Sequence, residues 1–279
     1  MRKAGVYARL LITACTLALA SVAHAAPVDL TTWTAESYPA VAGFGAGVWT
    51  VQGGGSSVFQ SVNGQPTLFY SDFNAFGTEL TGRIAVSAGA GDDDYIGFAL
   101  GYQPGDITNG SADYLLVDWK QVDQNFNFGA PSSSGGGVAE AGLAVSRVTG
   151  IPDADEFWQH ANLDGTLLGS GLEELARAAT LGDTGWVHGQ TYEFVFDFGP
   201  ANLQVSVDGT LELDIAGSFA NGRFAFYNFS QSQVTYSAFE IDEGSFPVPV
   251  GVPEPSTLAL LGIAAAAIGL VSRRRAVSS

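Results

Sequence analysis

The stretch "NLQVSVDGTLELDIAG", residues 202–217, carries the decisive local pattern. Leu203, Val205 and Val207 alternate with polar residues, Asp208-Gly209 interrupts, and Leu211, Leu213 and Ile215 alternate again. Alternation of period two sets one face of a strand on a core and the other in water. Asp-Gly between two such runs supplies the positive φ angles of a two-residue hairpin turn. The segment therefore predicts two antiparallel strands joined at 208–209.

Outward from this hairpin the chain repeats the theme. Short β-type runs occupy 48–52, 57–62, 67–71, 79–88, 95–102, 114–121, 142–149, 191–198, 223–230 and 234–241, punctuated by Gly, Asn, Asp and Ser. Only "LEELARAA", residues 172–179, reads as a short helix. "NFNFGAPSSSGGGVAEAG", residues 125–142, reads as a mobile loop. Many short strands with a single helix predict an all-β sandwich of jelly-roll type over 26–242.

The ends have a different character. Arg2, Lys3 and Arg9 precede an apolar run from Leu10 to Ala20, and Ala23-His24-Ala25 offers the small residues a signal peptidase requires. Residues 1–25 are expected to be a cleaved signal peptide. Cys15, the single cysteine, lies inside that segment, so the exported chain can form no disulfide. At the other end, residues 243–252 read as a linker, followed by Pro253-Glu254-Pro255, an apolar stretch from Leu258 to Val271, and Arg273, Arg274 and Arg275. The apolar stretch is short for a bilayer helix, and the arginines act as a membrane stop that holds their end in the cytoplasm. This order of motif, apolar segment and basic cluster over 253–279 resembles the PEP-CTERM sorting signal of Gram-negative bacteria. The resemblance implies processing by an exosortase, transient anchoring in the inner membrane, and delivery to the cell surface or extracellular matrix.

The whole chain carries a formal charge of −17. Between the end segments only Arg83, Lys120, Arg147, Arg177 and Arg223 stand against 27 acidic residues, a net of −22. Such a surface repels nucleic acid and anionic lipid and attracts cations.

"GDDDYIGFALGYQ", residues 91–103, sets three carboxylates directly before an apolar run. Adjacent like charges need full solvation, a nearby cation or a bound metal. "DDDYIGFALGYQ" followed by "YLLVDWKQ", then "FWQH" (157–160), "TGWVHGQTYEF" (184–194) and "GRFAFYNFSQSQVTYSAFEI" (222–241), resembles the C-terminal lectin-like domain of thrombospondins from Trp49 to Ile241. The resemblance implies a concanavalin A-like jelly roll, calcium binding and cell adhesion, with extracellular polysaccharide or surface proteins as partners. Asp92, Asp93 and Asp94 stand where that family has its acidic triplet and are the candidate calcium ligands. In an extended strand they would alternate faces, so two at most could meet one ion. The aspartate repeats that flank the thrombospondin domain are missing here.

Catalytic chemistry finds little support. His160 and His188 are the histidines beyond the signal segment, and no G-x-S-x-G elbow occurs. Glu212 and Asp214, two apart in "ELDIAG", are expected to share one strand face in the manner of laminarinase-type hydrolases. The third acid of that E-x-D-x-x-E pattern is replaced by Gly217. A glycosidase needs two carboxyl groups, so the sequence reads as non-enzymatic. Trp49, Trp119, Trp158 and Trp186 could stack on sugar rings, but in a sandwich of this composition most are expected in the core.

Overall fold

The computed structural model describes residues 25–41, 43–132, 135–163 and 171–242. Residues 1–24 of the signal segment, the linker at 243–252, and the sorting tail with Pro253, Glu254, Pro255, Arg273, Arg274 and Arg275 lie outside the described residues.

Two antiparallel sheets face each other. The first runs in the order β15 (Thr210–Ala216), β14 (Asn202–Val207), β13 (Thr191–Phe198), β6 (Glu79–Val86), β17 (Val234–Asp242), β4 (Ser57–Gln60) and β3 (Trp49–Gln52), and β1 (Ala26–Pro27) also pairs with β17. The second runs β12 (Gly171–Arg177), β11 (Gly142–Thr149), β8 (Asp113–Lys120), β7 (Tyr95–Tyr102), β16 (Arg223–Phe229), β5 (Thr67–Asn74) and β2 (Thr34–Ser37). The predicted hairpin closes with Val207 opposite Thr210. Asp208 and Gly209 hold φ angles of 48° and 80°, the left-handed region such a turn demands.

Two apolar layers result. Between the sheets, Phe98 of β7 packs on Phe194 and Phe196 of β13 at centroid distances of 5.0 and 4.8 Å. On the outer side of the second sheet, Tyr95, Leu116, Tyr227 and Phe229 are covered by Phe128 and by Phe157 and Trp158 of a short helix, α1 (Ala154–Gln159). The second sheet is thus buried on both faces. This explains why "YIGFALGY" is apolar throughout, whereas β13, "TYEFVFDF", alternates.

Two expectations are corrected. Residues 172–179 form no helix. Leu172 to Arg177 belong to β12, an edge strand with Leu172 opposite Val148 and Arg177 opposite Ala144. Leu, Glu, Ala and Arg favour helix by only tenths of a kcal/mol per residue, roughly, and pairing along β11 outweighs that preference. The described parts of the stretch 125–142 also include paired strand and packed core. β9 (Gln124–Phe126) pairs with β10 (Gly137–Ala139), and Phe128 is fully packed in the outer layer. The helix that does form, α1, carries a reciprocal capping box between Asp153 and Glu156.

Gly97 of β7 sits where the chain needs the smallest residue. A Cβ there would lie 2.2 Å from the Val117 carbonyl oxygen of β8. Gly97→Ala is therefore expected to destabilise the protein by about 1–3 kcal/mol. The check is a thermal melt, in which the midpoint should fall by several degrees without loss of the native β signature.

Candidate functional site

The loop after β6 turns at Ser87 and Ala90 and delivers Asp92, Asp93 and Asp94 to the start of β7. The three residues precede the strand, so they escape the alternation expected for extended chain. One carboxylate oxygen from each of the three lies within 4.8 Å of those from the other two.

The backbone of the loop is pinned on every side. His188 Nε2 meets the Asp92 carbonyl oxygen at 2.8 Å, and Trp186 Nε1 donates to the Asp94 carbonyl at 3.0 Å. The Asp94 N–H donates to Gln231 Oε1 at 2.8 Å. Asn63 donates to the Asp92 carboxylate.

The charge is met from β8. Along this strand Leu115, Val117 and Trp119 face the inner core, so Tyr114, Leu116, Asp118 and Lys120 face the outer layer. Lys120 is the only lysine beyond residue 3, and its side chain is 0% exposed. Its Nζ donates to Asp94 Oδ1 at 2.8 Å, the Asp93 carbonyl at 2.9 Å, Asp93 Oδ1 at 3.0 Å and Gln124 Oε1 at 2.9 Å. The Trp158 ring covers it, 5.0 Å from the ring centroid. Asp94 is itself only 3% exposed. Burial pushes the Asp94 carboxyl up to about 7, Lys120 pulls against that shift, and the neighbouring Asp92 adds to it.

A calcium ion wants six to eight oxygens at about 2.3–2.6 Å. Here the best-placed oxygens of Asp93 and Asp94 already hold a buried ammonium at hydrogen-bond distances. What is left facing outward is Asp92 and part of Asp93, whose side chain is 35% exposed. The donor set therefore fits an added dication poorly.

Two strand positions before Lys120, Asp118 makes the mirror-image pair. His160 ends α1 in a left-handed conformation, φ 50° and ψ 43°. Its Nε2 lies 3.1 Å from Asp118 Oδ2, and its Nδ1 lies 3.3 Å from Glu174 Oε2 on β12. Arg177 braces Glu174 with contacts of 3.0 and 3.1 Å. Burial alone would lower the imidazole, but Asp118 and then Glu174 outweigh it and raise its pKa to about 9. An imidazole protonated at neutral pH with a carboxylate on each nitrogen cannot serve as a general base. Glu174 is held below the usual carboxylate range: burial opposes this, but His160 and Arg177 prevail.

Glu212 and Asp214 do not share a face. A bulge sets Val205 opposite Leu213 and Ser206 opposite Leu211, which leaves Glu212 as the extra residue. Its buried carboxylate accepts from the N–H groups of Thr180 and Leu181, at 2.8 and 3.2 Å, and from the Thr180 hydroxyl. Glu212 anchors the turn after β12, while Asp214 is exposed. Of the tryptophans weighed for sugar stacking, Trp119, Trp158 and Trp186 are each 1% exposed, and Trp49 is half-buried on Phe69.

The sequence model of the family described as "Thrombospondin C-terminal region" matches residues 45–242, and that of the "PEP-CTERM protein-sorting motif" matches 251–275. Thrombospondin-3b of Danio rerio is 31% identical over 115 residues, 40% of this chain and 11% of the relative. Cartilage oligomeric matrix protein of Rattus norvegicus is 26% identical over 201 residues, 68% of this chain and 24% of the relative. The chain thus spans a quarter or less of these relatives. Among solved structures, the carbohydrate-binding module CBM66 from Bacillus subtilis aligns at a TM-score of 0.47 and 11% identity, covering 76% of this chain and 95% of that one. The VIP36 exoplasmic/lumenal domain in its Ca2+/Man-bound form aligns at 0.44 and 12%, covering 79% and 86%.

The raised imidazole has a consequence for stability. The folded pKa of about 9 exceeds the unfolded value of 6.5. The His160 contribution, of order 3 kcal/mol, is therefore fully present below about pH 6.5 and is lost as pH rises through 9. Chemical denaturation at pH 6 and at pH 9.5 checks this. His160→Gln should remove most of the difference between the two.

Proposed function

Because the chain belongs to the thrombospondin C-terminal region family and carries a PEP-CTERM protein-sorting motif, we propose that it is an exported, non-enzymatic adhesive module of the bacterial cell surface or extracellular matrix. The observation that carries this reading is the succession of the two matches in one chain, the family region ending at 242 and the motif beginning at 251. Signal peptidase and an exosortase are the processing partners it implies, in a Gram-negative envelope. The polypeptide from Ala26 onward binds extracellular polysaccharide or surface protein. Among the described residues no helix is long and apolar enough to cross a membrane.

The geometry supports display from one end. Ala26 lies opposite Ile241, so the residue after the signal segment and the strand leading to the tail meet at one corner. The loop bearing Asp92 lies at the other end of β17, where Ser87 bonds to Gln233. Nine residues of strand separate the two ends by roughly 30 Å. A tether at that corner presents the loops around 61–66, 87–94 and 230–233 outward.

Replacing Pro253-Glu254-Pro255 with alanines is expected to leave a longer, unprocessed chain in the inner membrane, detected by fractionation and immunoblot. If the altered and natural chains fractionate alike, the export reading fails. For the binding role, purified protein should be retained saturably on immobilised extracellular polysaccharide or on intact cells. It should release no reducing sugar, and Glu212→Gln should leave retention unchanged. Sugar release that disappears in Glu212→Gln would instead identify a hydrolase, and no retention on any surface would leave a purely structural matrix role.

A further inference from the structure

We infer that Lys120 is the resident counter-cation of the Asp92–Asp94 loop, a covalently attached ammonium in the place where a bound metal ion would otherwise be needed. Three remedies exist for adjacent carboxylates, and exposure separates them. Solvation is closed to Asp94, whose side chain is 3% exposed. A cation is already in contact, because Lys120 Nζ has four oxygens between 2.8 and 3.0 Å, two of them from the carboxylates of Asp93 and Asp94. An ammonium has three protons to donate, so these acceptors saturate it and one bond is shared. The Trp158 face closes the remaining side.

The coordination is that of an ammonium. N–H···O contacts of this length are normal for charge-assisted hydrogen bonds, whereas a calcium ion draws its oxygens in by several tenths of an ångström. A dication inserted among the same carboxylates would sit beside a positive charge that cannot retreat to water, since the lysine is fully buried. The stem of Lys120 also lies in a packed layer with Trp158 on it, so its withdrawal would open that layer. The loop is therefore held by a residue of the chain and does not depend on dissolved calcium. This inference is independent of what the protein binds.

The experiment is a thermal melt of the purified protein in millimolar calcium and in excess chelator, for the natural chain and for Lys120→Met. Met keeps the length of the stem and removes the charge. The natural chain should melt within about one degree in both media. Lys120→Met should melt several degrees lower in chelator and regain part of that loss in calcium, because Asp93 and Asp94 then face a vacant cation position. Should Lys120→Met fail to fold, equilibrium dialysis of calcium against the natural chain replaces it, and no binding at the triplet is expected. A calcium-dependent rise of several degrees in the natural chain, or calcium bound in dialysis, overturns the inference if Asp92→Asn and Asp93→Asn abolish it. A rise that both variants retain places the ion elsewhere and leaves Lys120 as the loop's cation.

Discussion

Covering one β-sheet on both faces constrains everything else in this molecule. The second sheet meets the first on its inner side and meets α1, the 128 region and neighbouring loops on its outer side. No position of β7 or of the central part of β8 reaches water. Any charge placed there must find its partner inside the protein, because an uncompensated buried ion costs several kcal/mol, roughly. β8 nevertheless directs Asp118 and Lys120 into the outer layer. Each is answered from a different quarter, Asp118 by His160 at the end of α1 and Lys120 by the loop before β7. The two pairs have opposite polarity and stand two residues apart on one strand. Together they bind α1, β12 and the 91–94 loop to the sheet with directional contacts that apolar packing alone cannot supply. Trp158 and Tyr95 connect them: Tyr95 packs 5.1 Å from His160, and its hydroxyl donates to the Trp158 carbonyl.

Most of the sheet framework was legible because its signals are local. The period-two alternation of 191–198 and 202–217, and the Asp-Gly between two runs, specify strand, face and turn without reference to the rest of the chain. The misread segments are those where local preference and tertiary demand conflict. "LEELARAA" has helix-forming composition, yet the edge of β11 offered a partner and the segment became a strand. In contrast, "DADEFWQ" held a readable start signal, since Asp153 followed three residues later by Glu156 is the capping-box spacing, but six residues are too few for helical periodicity to register. The doubly covered face was also hinted at. In "DYLLVDWK" the alternation from Tyr114 and Leu116 puts Asp118 and Lys120 on an apolar face, which marks buried, paired charge.

The candidate site was legible as a location and less so as chemistry. A triplet of aspartates before a strand marked a loop of crowded charge, and a nearby cation was among the remedies that charge repulsion required. That the cation is a lysine 26 residues downstream depends on the β7–β8 register, which no local pattern reveals. The hydrolase-like pair failed for a related reason. Two acids at i and i+2 share a face only on a regular strand, and a single bulged residue at Glu212 cancels that inference. Bulges are set by the partner strand and are invisible in the bulged sequence.

The position of β17 bears on the order of events during export. Among the described residues it is the last strand, yet it lies in the interior of its sheet, between β6 and β4, and β1, the first described strand, pairs with it. A chain whose residues beyond about 230 have not yet emerged lacks the strand that joins β6 to β4 and pairs with β1, although β4 already has β3 beside it. Such a nascent chain waits half-assembled, its largest apolar layer open, until its C-terminal segment emerges. Completion of the sandwich and arrival of the sorting tail at the membrane therefore fall close together in time. A folding catalyst or holdase at the exit site would find its client in that interval, and contact order, more than stability, sets how long the interval lasts.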